Sequence, residues 1–339
     1  MHRCLQLAKM GTGNVAPNPM VGAVLVYENE IIGEGYHLQY GQAHAEVNCI
    51  NNVSDANRSL IEKSTLYVSL EPCAHFGKTP PCADLIIKNR IPNVVVACRD
   101  SYEEVDGKGI QKLQQAGVNV IVGILEKEAK ELNKRFFTFH TKQRPYIILK
   151  WAQSGDAKIA RQDFSAVKIS NDFTNRLVHK WRSEEAAILV GTNTALHDNP
   201  SLTTRLWKGN NPVRLVIDLQ LKLPMSLHLF DGAVKTIVFN QVKDEEKNGG
   251  RFYRLPSGED IIPGLLNALY KLTIQSVLIE GGARLLQSFI DQNYWDEARV
   301  ITNEQLIIES GINAPELKES NLVSINKATG DQVAFYQPG

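Results

Sequence analysis

The sequence predicts two consecutive α/β domains, and three observations carry this. Strand-like apolar runs alternate with helical patterns through the first part of the chain. A polar hinge ending in proline, "TKQRP" (141–145), interrupts the alternation, and the strand–helix rhythm then restarts. The length, 339 residues, is too great for one ordinary domain and comfortable for two.

The elements of the first domain follow in order. Residues 2–10 read as a short helix. "VGAVLVY" (21–27) and "EIIGEGYH" (30–37) read as two strands joined at Glu28-Asn29. "HAEVNCINNV" (44–53) has a helical pattern, and "TLYVSL" (65–70) is strand-like. "PCADLIIKN" (81–89) is a helix opened by proline, followed by the strand "NVVVAC" (93–98). "GIQKLQQAG" (109–117) is a helix closed by glycine, "VNVIVG" (118–123) a strand, and "LEKEAKELNKRFFTFH" (125–140) one long helix. That pattern describes a sheet with helices on both faces.

In the second domain the expected strands are 146–152, 186–191, 213–219, 235–240 and 276–280. Helices are expected near 170–182, 262–272 and 283–290. Residues 305–339 show little pattern.

Composition narrows the class. Hydrophobic residues make up 43% and charged residues 22%, as in ordinary globular chains. Lys+Arg and Asp+Glu both number 37, so no net positive field favours nucleic acid as a partner. A few local cations can still meet a phosphorylated metabolite. The opening "MHRCLQLAKM" lacks a long apolar stretch, and no run approaches about 18 apolar residues. A soluble, cytoplasmic protein without membrane contact is the expectation. Five cysteines, an odd number, argue against a disulfide framework and for free thiols or metal ligands.

The chemistry-bearing stretch is "GQAHAEVNCI" (41–50), with His44-Ala45-Glu46. Residues at i and i+2 do not share a helix face, so the pair alone is uninformative and would ordinarily be a surface helix start. Downstream comes "LEPCAHFGKTPPCADL" (70–85), in which Cys73 and Cys82 each follow a proline. One histidine and two cysteines suit zinc and leave its fourth position open to water, the mark of a catalytic site. Zinc lowers the pKa of such a water toward neutrality, and Glu46, not itself a ligand, can accept its proton and pass it to the substrate. His44 and Cys82 fall at expected helix starts, where thiolate is favoured. Histidine-x-glutamate followed by proline-cysteine is the signature of zinc nucleobase deaminases. Cys4, Cys49 and Cys98 have no such company and read as small hydrophobes.

Eight residues separate Cys73 from Cys82, where cytosine and tRNA-adenosine deaminases have two. Here the chain resembles the bifunctional riboflavin-biosynthesis proteins, a pyrimidine deaminase fused to a pyrimidine reductase. The resemblance rests on "APNPMVGAV" (16–24), "GEGYH" (33–37), "HAEV" (44–47), "EPCAHFGKTPPC" (71–82) and "GKGI" (107–110). Beyond the hinge it rests on "ILKWAQSGDAKIA" (148–160), "IS" (169–170), "VHKWRSEEAAILVGTNTALHDNPSLTTR" (178–205) and "IEGG" (279–282).

The resemblance implies a cytidine-deaminase-like αβα sandwich over residues 1–142 and a dihydrofolate-reductase-like α/β domain over 145–339. It implies zinc on His44, Cys73 and Cys82, with Glu46 moving protons. The implied substrate is 2,5-diamino-6-(5-phosphoribosylamino)pyrimidin-4(3H)-one, contacted by Asn18, His75, Lys78 and Asp100. The usual asparagine near Asp100 is Tyr102 here, so that role is not carried over. The second domain would use NADPH to convert the ribosylamino chain to ribitylamino. Lys150, Ser170, Arg182, Asp198, Leu202 and Arg205 would line the substrate pocket. Ser154, Gly191, Thr192, Glu280, Gly281 and Gly282 would hold the cofactor.

The residues themselves say less about this second site. There is no Gly-x-Gly-x-x-Gly fingerprint, only glycine-bearing strand-to-helix turns at 188–200 and 277–286 that can approach a phosphate. No proton donor is obvious; Asp198 and Glu280 are the candidates. The chain departs from the family at Ser154-Gly155-Asp156-Ala157, where Ser-Leu-Asp-Gly is usual, and lacks the familiar proline–leucine–glycine stretch after residue 302. The competing readings are a deaminase with a non-functional reductase domain, a nucleic-acid or nucleoside deaminase, and a non-catalytic zinc scaffold. A homo-oligomer, dimer or tetramer, is the expected assembly.

Overall fold

The computed structural model describes residues 1–77, 80–101, 106–247, 249–258 and 260–339. The chain divides into two compact units, Met1–Gln143 and Arg144–Gly339.

In the first unit the elements run α1 (His2–Lys9), β1 (Gly22–Tyr27), β2 (Glu30–Tyr36), α2 (Ala45–Asn51), β3 (Thr65–Val68), α3 (Cys82–Lys88), β4 (Asn93–Val96), α4 (Lys108–Gln115), β5 (Asn119–Val122), α5 (Glu126–Leu132) and α6 (Lys134–Lys142). A 3₁₀ segment, Asp55–Lys63, precedes β3. The sheet order is β2-β1-β3-β4-β5. β1 is antiparallel to both neighbours, and β3, β4 and β5 are parallel. The β1–β2 hairpin turns on Glu28 (φ 46°) and Asn29 (φ 69°), the positive angles a two-residue hairpin requires. One face of the sheet, through Leu25, Leu66, Val68, Val94 and Val96, packs on Cys49, Ile50, Ala83, Ile86 and Leu113 of α2, α3 and α4. On the other face α1 and α5 contribute Leu5, Leu7 and Ala129.

One local expectation needs correction. The single helix expected over 125–140 breaks at Asn133, between α5 and α6. Asn133 is 2% exposed, and its amide pairs with the backbone of Met20: Nδ2 donates to the Met20 carbonyl at 2.9 Å, and Oδ1 accepts the Met20 N–H at 2.8 Å. A buried amide satisfied on both sides is worth more than continuing the helix.

The second unit contains β6 (Tyr146–Ser154), β7 (Lys158–Arg161), α7 (Asp172–Glu184), β8 (Ala187–Gly191), α8 (Thr192–Asp198), β9 (Val213–Ile217), β10 (Thr236–Asn240), β11 (Glu245–Lys247), β12 (Gly250–Arg254), α9 (Ile261–Lys271), β13 (Ser276–Gly281), α10 (Ala283–Asp291), β14 (Glu297–Asn303), β15 (Gly311–Asn313), β16 (Ser320–Ala328) and β17 (Asp331–Pro338). Its main sheet runs β11-β12-β10-β9-β8-β13-β6-β14-β17-β16. The strands from β12 to β14 are parallel, and β17 and β16 close that end antiparallel. Central strands are buried on both faces, which is why they read as unbroken apolar runs. In β6, Ile147 and Leu149 face α9 and α10, while Tyr146 and Ile148 face Val178 and Trp181 of α7.

β14 escaped the pattern because it carries Glu297 and Arg299 on one face, both buried. Arg299 Nε donates to Glu297 at 2.6 Å, approaches Glu185 at 3.7 Å and stacks over Trp181 at 5.0 Å. The patternless tail forms β15 and the β16–β17 hairpin; β16 is exposed along most of its length, so it has no apolar alternation to display.

Candidate functional site

The first site lies beyond the carboxyl end of β3, the general ligand position in open α/β sheets. His44 is the N-cap of α2 and Cys82 the first residue of α3, while Cys73 sits on the connection between β3 and α3. His44 Nδ1 lies 3.6 Å from Cys73 Sγ and 3.4 Å from Cys82 Sγ. All three donor atoms fall within 4.8 Å of one another. Tetrahedral zinc places nitrogen and sulfur ligands about 3.6 Å apart, given its usual bond lengths, so the donor set fits this metal.

The electrostatics match a metal centre. The Cys73 thiol is held well below the ordinary thiol range by hydrogen bonds from the Cys82 thiol and from His44, against the effect of burial. The Cys82 N–H, at the start of α3, also donates to Cys73 Sγ at 3.3 Å. Cys82 is pushed up by sharing its proton with Cys73 and by burial. Two thiols this close share one proton until a cation replaces it; the helix terminus alone does not ionise both. Glu46 is 3% exposed, and burial together with the Cys73 thiolate raises its carboxyl to about 6, with His44 opposing. A carboxyl tuned toward neutrality can both accept and return a proton.

Asn18 is joined to this site through His37, a histidine to which the motifs give no role. Asn18 Nδ2 donates to His37 Nε2 at 3.1 Å, and His37 Nδ1 donates to the Ala43 carbonyl at 3.0 Å. Burial lowers the pKa of His37, whose ring meets that of His44 edge-on at 5.4 Å. "GEGYH" contained His37, but only packing reveals that it orients Asn18. His75 is half-buried beyond Cys73, and Asp100 is buried just after β4. Lys78 and Tyr102 lie outside the described residues. Cys4, Cys49 and Cys98 are fully buried, and burial raises their thiols.

The second unit holds a cavity of about 820 Å³, within the usual range for ligand sites of about 300–1,000 Å³. Lys150, Ser170 and Asp198 line it, as do Gly191 and Thr192 at the start of α8, Glu280 and Gly281 at the end of β13, and Gly282 at the start of α10. The second turn leaves little room for a side chain, since a Cβ on Gly282 would lie 3.1 Å from Thr194 Oγ1. Such a turn lets backbone N–H groups approach a phosphate.

Ser154, Arg182, Leu202 and Arg205 are not on the cavity wall. Ser154 is fully buried, donating to Asp156 at 2.5 Å and accepting from the Lys158 N–H at 3.0 Å. In that turn Ala157 adopts φ 57°, so the chain keeps a glycine-like bend with an alanine in it. Arg182 makes a bidentate pair with Glu280, both bonds 2.7 Å, and its Nη1 donates to the Thr203 carbonyl. Leu202 packs its side chain in the core beside Ile188 and Val190, and Arg205 is exposed.

Glu280 is therefore the anchor of an ionic cluster. Burial works against its charge, yet Arg182 and Lys150 hold its carboxyl down to about 2. Lys150 Nζ lies 3.9 Å away, and burial lowers the lysine's pKa. A carboxylate held this firmly is a poor proton donor, which leaves Asp198 of the two candidates. His179, also unassigned from sequence, is 1% exposed; burial, with Arg182 and Arg205 nearby, lowers it to about 4.

A zinc site of deaminase type in one unit and a ligand cavity at glycine turns in the other define a two-domain enzyme. The family model for the cytidine and deoxycytidylate deaminase zinc-binding region matches residues 1–98, and that for the RibD C-terminal domain matches residues 145–306. The chain is 40% identical over 315 residues to the riboflavin biosynthesis protein RibD of Aquifex aeolicus, covering 91% of this chain and 87% of that one. It is 40% identical over 326 residues to the Bacillus amyloliquefaciens protein, covering 94% and 86%. A crystal structure of a diaminohydroxyphosphoribosylaminopyrimidine deaminase/5-amino-6-(5-phosphoribosylamino)uracil reductase from Thermotoga maritima superposes with a TM-score of 0.91 at 35% identity, covering 100% of this chain and 97% of that one. The chain belongs to the RibD family of riboflavin biosynthesis proteins, with a zinc-binding deaminase domain and a reductase domain. Among the described residues, no helix is long and apolar enough to cross a membrane.

Proposed function

We propose that the chain catalyses two successive steps of riboflavin biosynthesis on a phosphorylated pyrimidine: deamination of 2,5-diamino-6-(5-phosphoribosylamino)pyrimidin-4(3H)-one, then NADPH-dependent reduction of its ribosylamino chain. The observation that carries the reading is the convergence of His44, Cys73 and Cys82 beside buried Glu46.

Zinc on those three residues supplies an activated water as nucleophile. Glu46 accepts the two protons of the attacking water in turn, delivering one to the ring and one to the 2-amino group, which leaves as ammonia while oxygen takes its place. Asn18, His75, Lys78 and Asp100 bind the pyrimidine and its ribose phosphate, with Asn18 aimed by His37. In the second unit NADPH supplies the hydride for C1 of the opened ribose. Gly191, Thr192, Gly281 and Gly282 hold the cofactor through their backbone. Lys150, Ser170 and Asp198 face the substrate from the cavity wall. Glu280 fixes Arg182 and Lys150, Ser154 shapes the adjoining turn, and Leu202 and Arg205 contribute from the flanking loop. Arg182 and Arg205 suit a dianionic phosphate.

The domain limits we assign are 1–142 for the deaminase and 145–339 for the reductase. A cytoplasmic homo-oligomer, dimer or tetramer, completes the reading. The exposed edge strand β16, with Leu322, Val323 and Ile325 at its surface, supports self-association.

The test is to supply the diaminopyrimidine with and without NADPH to the purified zinc-loaded protein and to Glu46→Gln. Ammonia release without NADPH, NADPH oxidation after it, and a silent variant that retains zinc support the proposal. Ammonia release with no NADPH oxidation would leave a deaminase alone.

A further inference from the structure

One buried carboxylate next to the metal-binding segment is neither a ligand nor a proton carrier. Glu71, two residues before Cys73, is 4% exposed and accepts four backbone N–H groups. Oε1 takes those of Gly109 at 3.0 Å and Ile110 at 3.2 Å, in the first turn of α4. Oε2 takes those of Asp100 at 3.2 Å and Gly107 at 3.0 Å, at the two ends of the connection from β4 to α4. A carboxylate has about four acceptor sites, and here all are used. The Glu71 N–H itself donates to the Cys98 carbonyl at 3.0 Å.

A second set of contacts joins Arg99 to Asp106, on either side of the same stretch. Arg99 Nε pairs with the Asp106 carboxylate at 2.9 Å, and its Nη2 donates to the Asp106 carbonyl at 2.9 Å. The start of α4 also abuts the metal-binding segment, since a Cβ on Gly109 would fall 1.8 Å from the Pro72 carbonyl oxygen. One side chain thus ties together three things: the segment leading to Cys73, the Asp100 backbone and the first turn of α4.

We propose that Glu71 is a positioning residue for deamination, setting the Asp100 backbone and the start of α4 against the His44–Cys73–Cys82 site and thereby the affinity for the pyrimidine, without touching the substrate. The inference rests on the deaminase reading above. Glutamine in its place keeps the shape but offers one acceptor oxygen, and its NH₂ turns two donors toward two backbone N–H groups. One pair of bonds is lost, either to the Asp100 and Gly107 N–H groups or to those of Gly109 and Ile110.

The experiment compares wild type, Glu71→Gln and Arg99→Met for zinc content, KM and kcat of ammonia release, and NADPH oxidation on the deaminated substrate. For Glu71→Gln we expect KM to rise at least about tenfold, more than kcat falls, because small misplacements of binding groups are costly. Zinc content and reductase kinetics stay at wild-type values. Arg99→Met, at an exposed side chain, shifts KM the same way by about two- to threefold. Unchanged deaminase KM in Glu71→Gln overturns the proposal, as does a parallel loss of zinc and of both activities, which a merely structural role would give. Should Glu71→Gln fail to fold, Arg99→Met decides, and a wild-type KM there overturns the proposal. Ammonia release by the unaltered chain separates the two ideas: its absence counts against the deaminase reading, not against Glu71.

Discussion

The two sites of this chain are built by opposite means. In the deaminase unit the proposed site gathers side chains of particular types: one imidazole, two thiols and one carboxyl, within residues 44–82. In the reductase unit the proposed site has backbone turns and an ionic cluster that joins Lys150 in β6, Arg182 in α7 and Glu280 in β13. Metal chemistry tolerates few substitutions, so it writes short, legible motifs. Cofactor cradling by N–H groups needs glycine and a helix start, which many loops possess. Direct chemistry is concentrated in the first site, and distributed positioning in the second.

That contrast can be broken. Stripping zinc with a chelator is expected to abolish ammonia release while NADPH oxidation of the deaminated substrate continues at its original rate. Parallel loss of both activities would show that the two units are not separable. Readdition of zinc restores the first activity.

Next in size is Glu280→Gln. Removing one partner of a buried ion pair costs about 3–5 kcal/mol, and here it leaves Arg182 facing Lys150 with no counter-charge. The reductase unit is expected to melt earlier and to lose activity, with the deaminase unaffected. A calorimetric scan beside both assays checks this, and an unchanged transition would remove the cluster from the argument.

Smaller is a dependence on pH. His179, among Arg182, Arg205 and Glu280, has a folded value of about 4, against about 6.5 in an unfolded chain. Between those values the unfolded state binds the proton and the folded state does not, so stability falls as pH drops from about 6.5 to about 4. Glu280, held at about 2 when folded, loses its contribution from about pH 4.5 downward. In His179→Asn the first decline should flatten while the second remains, as read from melting temperatures between pH 7 and 4.

The smallest expected effect is at Ala157, whose φ of 57° favours glycine. Ala157→Gly is expected to stabilise the reductase unit by about 0.5–1 kcal/mol and to leave both activities in place. A loss of stability on denaturant titration would mean that the turn is not strained.

Legibility followed the same division. The strand–helix alternation announced most of both units, because buried parallel strands appear as apolar runs. It failed at β14, where Glu297 and Arg299 neutralise each other inside the fold. It also failed at Asn133, where a helical run is broken by an amide bonding to Met20, 113 residues away. The proposed metal ligands and Glu46 were visible as motifs. His37, Glu71 and His179 were not, since nothing local marks a side chain whose partners are backbone groups of other segments. Arg182 suits a phosphate by type, and only the fold shows that it is also paired with Glu280.

The sequence alone determined the two-part α/β organisation, the donor set for zinc and its companion carboxyl, because apolar periodicity and ligand chemistry are properties of residue types at fixed spacing. Tertiary structure decided the rest: that His44 Nδ1 meets the two sulfurs at 3.4–3.6 Å, that one carboxylate holds the Asp100 backbone and the start of α4, and that Glu280 stays ionised. Those outcomes depend on distance and desolvation between segments far apart in the chain, and neither quantity exists until the chain has folded.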